Sequence, residues 1–166
     1  MKNMEIIHLN WEEYDWNDGF EQFNEKKHYG IYQVYGDHPV YGENALLYIG
    51  KAREQTYSAR LSQHDDFIYT HLSTFRRLHL SYFLKSDDIN YDNWGESIDL
   101  VEKVLINSHC PAYNAQDVKG ILDDKTIGKD VLILNWGTRG KLLPEVSSLR
   151  YSYYYWNKVD IDKVLK

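Results

Sequence analysis

Residues 28–51 read HYGIYQVYGDHPVYGENALLYIGK, and two short runs within them decide the fold. His28 to Tyr35 is rich in β-branched and aromatic residues, which predicts a strand. Asn44 to Lys51 (NALLYIGK) predicts another. Between them, Gly36-Asp37-His38-Pro39 and Tyr41-Gly42-Glu43-Asn44 are turn signals, so the two runs are expected to close into a hairpin. Antiparallel pairing could then place the phenols of Tyr32 and Tyr48 on one sheet face.

Downstream the period changes. From Ser58 to about Thr70 the pattern is helical, with Ser58 as N-cap and Leu61, Phe67 and Ile68 on one side. Arg60 and His64 are four apart and share a helix face. They either point inward with those apolar residues or snorkel to solvent. Leu78 to Leu84 (LHLSYFL) alternates like a third strand, and Ser97 to Ser108 (SIDLVEKVLINS) predicts a second helix. His109-Cys110-Pro111 ends that helix, because proline biases its predecessor away from the helical region. On a helical wheel Glu102 falls between Ile98 and Ile106, in the arc of Val101 and Leu105, with Asp99, Lys103 and Asn107 opposite. A carboxylate on an apolar stripe is costly unless it is paired or holds a cation. A buried arginine partner and a metal ion both remain open at this point.

The flanks are less regular. Residues 1–28 are acidic, and Trp11, Tyr14, Trp16, Phe20 and Phe23 recur near a helical spacing, which reads as a packed N-terminal extension. In residues 117–166, Val131 to Leu134 predicts a strand, Gly137 to Lys141 a turn, and Leu149 to Trp156 a Tyr-rich strand or aromatic patch. Trp136, Tyr151, Tyr153, Tyr154, Tyr155 and Trp156 would pack as a sheet cover or homodimer core in preference to stacking on exposed bases. Residues 1–166 are expected to form a single domain.

Composition bounds the function. The chain has 166 residues, fifteen Tyr, five Trp and five Phe, and a net charge of −6. That charge argues against a tail-driven polyanion binder, which would carry a basic excess. Positive charge concentrates instead between Lys51 and Lys85, at Lys51, Arg53, Arg60, Arg76, Arg77 and Lys85. A single cysteine, Cys110, excludes an intramolecular disulfide and a cysteine zinc cage. The opening MKNMEIIHLNWEEYDW lacks the apolar core of a signal peptide. Nothing approaches the roughly 20 apolar residues of a membrane helix. A cytoplasmic protein with no membrane partner is expected.

Two phenols, a guanidinium, an imidazole and a carboxylate on elements that pack together suit phosphodiester hydrolysis. The phosphate gains negative charge in the transition state, which a cation at Glu102 and Arg60 would stabilise. A phenol or imidazole at close range can take a proton from water.

On these residues the sequence resembles the GIY-YIG nuclease family. Gly30-Ile31-Tyr32 and Tyr48-Ile49-Gly50 are its name-giving tripeptides, the second continuing as Lys51-Ala52. Arg60-Leu61-Ser62-Gln63-His64 resembles the family's R-L-x-x-H helix. Glu102-Lys103-Val104-Leu105-Ile106 with Pro111-Ala112-Tyr113-Asn114 resembles its E-x-x-L-I…P-x-Y-N ending. The likeness spans about residues 29–116 and is nearest to the stand-alone restriction-endonuclease branch. The bacterial excision-repair incision enzyme often carries Tyr or Phe where His64 stands.

The resemblance implies an α/β sandwich with a central three-stranded antiparallel sheet flanked by helices. It implies a DNA endonuclease using one Mg2+ or Mn2+ ion held by Glu102. Tyr32 would be the general base, helped by His64. Tyr48 would orient water or phosphate, Arg60 hold the phosphate, Asn114 support the site and Lys51 touch the DNA backbone. Arg76, Arg77, Arg139 and Lys141 are further candidates for backbone contact. An acidic chain must concentrate its positive charge, dimerise or use a partner to reach DNA. Two other readings stand beside this one: a binding module that kept the scaffold without catalysis, and a nuclease for branched DNA or RNA.

Overall fold

A computed structural model of the chain describes residues 4–63, 74–83, 94–114 and 131–148. Its centre is a six-stranded mixed sheet. In chain order the elements are β1 (Glu5–Asp15), a single 3-10 turn (Trp16–Asp18), β2 (Gly30–His38), β3 (Gly42–Ala52), α1 (Tyr57–Ser62), β4 (Thr74–Phe83), α2 (Trp94–His109), β5 (Val131–Gly137) and β6 (Glu145–Ser147). The strands lie side by side as β3-β2-β4-β1-β5-β6. β1 and β5 run parallel, and the other neighbours are antiparallel.

The expected three-stranded sheet is therefore corrected. β3, β2 and β4 form the anticipated antiparallel unit, but the sheet continues through β1, β5 and β6. β1 corrects the helical reading of the N-terminal residues. Ile7, Leu9 and Trp11 are buried at every second position, the period of a strand with one face on the core, and both edges of β1 are paired. The aromatics that suggested a helix pack instead around the following turn, where Trp16 meets Phe20 and Phe75 edge-on and Phe23 meets Tyr14.

Apolar side chains bury both faces of the sheet, giving layered cores. On one face α2 lays Ile98, Val101, Val104 and Leu105 against Ile7, Leu9, Trp11, Ile31, Ile49 and Ile133. On the other, α1 sets Tyr57 and Leu61 with Tyr32, Val34, Leu47, Leu78 and Leu80. Among the described residues no helix is long and apolar enough to cross a membrane.

The boundaries show which local signals prevailed. β2 runs through the first turn signal to His38, with a register shift at Gly36, and the hairpin turns before Gly42, whose φ is 82°. Thr56 caps α1 in place of Ser58: its Oγ accepts the Ala59 N–H at 3.3 Å. The predicted stretch of this helix to Thr70, with His64, lies outside the described residues, as do Leu84, Lys85 and Leu149 to Trp156. α2 ends as predicted, at a Cys110 with φ 45° followed by Pro111.

Candidate active site

Cross-strand register explains why Tyr32 and Tyr48 share a face. Tyr32 pairs with Gly50 on β3, and Tyr48 lies two residues before Gly50, on the same side of the pleat. The ring centroids are 6.1 Å apart at 37°. Gly50 makes the room. A Cβ there would stand 2.5 Å from both Cζ and the hydroxyl of Tyr32, and 2.6 Å from Cε1 of Tyr48. The second tripeptide therefore ends in glycine because the first tripeptide's phenol fills the space a side chain would need.

Gly30-Ile31 is locked from β4 and α1. Ser81 Oγ accepts the Ile31 N–H at 2.9 Å and donates to the Ile31 carbonyl at 2.7 Å. The Tyr57 hydroxyl lies 2.7 Å from the Ser81 carbonyl and 3.0 Å from that of Ile31, so one proton serves two acceptors. Gly30 has φ 144°, and a Cβ on it would come within 2.7 Å of the Tyr57 hydroxyl. Tyr57 also packs edge-on to Tyr32, with centroids 6.4 Å apart. The sequence reading missed Tyr57 and Ser81. Nothing local marks either, since their role appears only when β2, β4 and α1 meet.

Around the Tyr32 phenol the predicted groups converge. Tyr32 is fully buried, and burial drives its pKa far above the ordinary phenol value. Tyr48 and the negative charge of Glu102 push in the same direction, while the charge and hydrogen bond of Arg60 pull against them. Arg60 reaches this point from the last turn of α1 and also donates to Gln63 Oε1 at 3.2 Å. Tyr48 from β3, Arg60 from α1 and Glu102 from α2 thus each act electrostatically on Tyr32 of β2.

Asn114 braces the other tripeptide. Its Oδ1 accepts the Ile49 N–H at 2.9 Å and its Nδ2 donates to the Ile49 carbonyl at 2.8 Å. The Ala112 and Tyr113 amides donate to the Leu46 and Leu47 carbonyls. Residues 112–114 thereby satisfy the outer edge of β3, beyond which no further strand lies among the described residues.

Glu102 sits at the flank of the α2 stripe, its side chain 13 % exposed, and meets Lys51 Nζ at 2.6 Å. A half-buried lysine is thus one partner of this carboxylate. Lys51 also reaches Asp99 Oδ1 at 3.0 Å, and Arg53 closes on the same carboxylate. The wheel had set Asp99 opposite Glu102. On the helix the two are three residues apart, near enough in angle to share one cation. Burial lowers the Lys51 pKa, but the hydrogen bonds its ammonium donates to Glu102 and Asp99 outweigh that and hold it above its usual value.

These groups fit a hard divalent ion. Mg2+ takes one or two carboxylates and fills its octahedron with water and substrate phosphate. Two carboxylates already share one ammonium here. Among the described residues no group of three or more His, Cys, Asp or Glu is placed to hold a metal ion, so a protein-only cage is not formed by them.

The remaining cations sit elsewhere. Arg77 pairs in register with Tyr35, three residues along from the Tyr32–Leu80 pair, so about 10 Å away along the strand. Arg76 is held by Asp37 at 2.6 Å, and Arg77 by Glu13 at 3.3 Å and by Asn44, in a cleft also lined by Asp15, Asn17 and Glu43. The turn carrying Arg139 and Lys141 docks on Tyr35, whose hydroxyl accepts the Lys141 amide at 2.8 Å. Arg139 Nε is buried there without a hydrogen-bond partner. The cationic segment is therefore largely neutralised by local acids, and Arg76, Arg77, Arg139 and Lys141 do not join the phenol cluster. Trp136 is exposed and stacks on His8, with centroids 6.0 Å apart.

Comparison of the chain with family models, with curated proteins and with solved structures finds no match.

Proposed function

We propose that this chain is a divalent-metal-dependent endonuclease of the GIY-YIG type that hydrolyses phosphodiester bonds in DNA. The observation that carries the reading is that Tyr32 and Tyr48 fill the space left by Gly50, with Arg60 hydrogen-bonded to the Tyr32 phenol and the Glu102 charge acting on it. Arg60 supplies a fixed positive charge beside the phenol, where a phosphate oxygen gains charge as water attacks. Tyr48 and Tyr32 offer hydroxyls that orient the water and relay its proton. The raised pKa of Tyr32 keeps its phenol protonated near neutrality, so its basicity has to be released by positive charge arriving with substrate. A divalent ion at Glu102, aided by Asp99, would supply Lewis-acid stabilisation of the phosphate. Asn114 and the Tyr57–Ser81 pair keep the two tripeptides in register.

The neutralised arginines favour one refinement. With Arg76 and Arg77 engaged by Asp37 and Glu13, non-specific affinity for duplex DNA is expected to be low. That favours a substrate recognised by structure, such as branched DNA or RNA, over a plain duplex. The test is cleavage of supercoiled, linear and branched DNA and of RNA with Mg2+ or Mn2+, comparing wild type with Glu102→Ala and Arg60→Ala. Both variants should remain folded and lose cleavage by about 10²-fold or more. Near-normal turnover in folded Arg60→Ala, or no cleavage of any substrate by wild type with any divalent ion, overturns the reading.

A further inference from the structure

Lys51 occupies the place a metal ion would need. Its Nζ is 2.6 Å from Glu102 Oε2 and 3.0 Å from Asp99 Oδ1, so one ammonium bridges both carboxylates. A divalent ion would approach such an oxygen to about 2.0–2.1 Å. Two cations cannot share that oxygen at those distances without strong mutual repulsion. The lysine therefore has to leave before a metal can settle. It is able to leave: its side chain is 31 % exposed, on a flexible four-carbon stem, next to Gly50 at the edge of the sheet. Asp99 would not be stranded, because Arg53 also holds it.

We propose that Lys51 is an internal counter-ion that fills the Glu102–Asp99 seat in the free protein and is exchanged for a divalent cation when a nucleic-acid phosphate draws its ammonium away. The proposal rests on the nuclease reading above and adds its regulation. The free chain binds metal weakly, because each metal ion must evict a bound cation. Phosphate removes that competitor, so substrate and metal strengthen each other's binding by the same factor. Metal thus enters with substrate and seldom before it.

The test is Mn2+ binding to the full chain, followed by calorimetry and by the electron paramagnetic resonance of free Mn2+. Neither readout depends on turnover. Lys51→Met is expected to bind Mn2+ about tenfold more tightly than wild type without nucleic acid. Lys51→Gln, which keeps a polar end, should behave likewise and serves if the methionine variant folds poorly. A branched DNA, held at a concentration that its own titration shows to saturate the chain, should tighten Mn2+ binding to wild type and leave the Lys51 variants nearly unchanged. Asp99→Asn in the Lys51→Met background should weaken binding. Lys51 variants that bind Mn2+ no better than wild type, while Glu102→Gln binds worse, overturn the exchange and leave the metal site standing. A wild-type Mn2+ affinity indifferent to the bound branched DNA also overturns it. Glu102→Gln binding Mn2+ as well as wild type removes the metal site itself, and the exchange with it.

Discussion

Replacing Gly50 with alanine adds one methyl group at the point where the two tripeptides meet. The new Cβ would stand 2.5 Å from Cζ and the hydroxyl of Tyr32 and 2.6 Å from Cε1 of Tyr48. Relaxed carbon contacts lie at about 3.5–4.0 Å, so the rings must give way by roughly 1 Å. Tyr32 has little room to do so, being fully buried with the Tyr57 ring edge-on at a centroid distance of 6.4 Å. Overpacking of this kind costs about 1–3 kcal/mol. Gly50 lies in a strand and is not among the positive-φ residues, so alanine also restricts the unfolded chain, returning about 0.4–1 kcal/mol. The net loss is then about 1–2 kcal/mol, measurable by urea titration. Catalysis should suffer more than folding, since displacing a reacting group by about 1 Å costs on the order of 10²-fold in rate. Cleavage by Gly50→Ala, assayed well below its unfolding midpoint, is expected to fall about a hundredfold. A folded variant that cleaves within threefold of wild type would show that the reaction does not depend on where the Tyr32 ring sits.

Asn114→Ala removes both hydrogen bonds to Ile49 and leaves its buried amide and carbonyl unpaired, at a cost of about 2–4 kcal/mol by denaturant titration. A loss below about 0.5 kcal/mol would show that the edge of β3 is held by other means. His109 is held neutral: its Nδ1–H donates to the Leu105 carbonyl and its Nε2 accepts the Leu143 amide, and burial lowers its pKa. Its contribution is present above the unfolded value of about 6.5 and disappears as pH falls through the lower folded value. Stability should therefore drop below about pH 6.5, and His109→Gln should flatten that limb; an unchanged acid limb counts against the role. At the other extreme, burial raises the Tyr35 pKa from 10.0 to about 12. The associated stability is complete below the unfolded pKa and lost as pH rises toward the folded one. The melting temperature should therefore fall steeply above about pH 10, and less so in Tyr35→Phe.

Much of the site was legible in the sequence because it is written in local periodicity. The two runs within His28 to Lys51 are rich in β-branched and aromatic residues with turn residues between, which sets two strands of a hairpin without reference to the rest of the chain. The stripe Ile98, Val101, Leu105 likewise sets α2, and Pro111 ends it. The failures occur where partners are distant. β1 carries a strand period at Ile7, Leu9 and Trp11, yet the larger aromatics around it imitate a helix. What settles the matter is parallel pairing with β5 and bonds such as Trp11 Nε1 to Asn135 Oδ1, 124 residues away. No window of sequence contains both ends of such a contact.

Charge divides in the same way. The sequence by itself determined which side chains can act on a phosphate: two phenols on one hairpin, an arginine on the next helix, and a carboxylate beside an apolar stripe. Tertiary structure alone decided which of those charges are engaged. It set Lys51 across Glu102 and Asp99, and turned Arg76 and Arg77 toward Asp37 and Glu13. The physical reason is that side-chain type and spacing fix what a group can do, whereas its field depends on neighbours a few ångströms away in space and dozens of residues away in the chain.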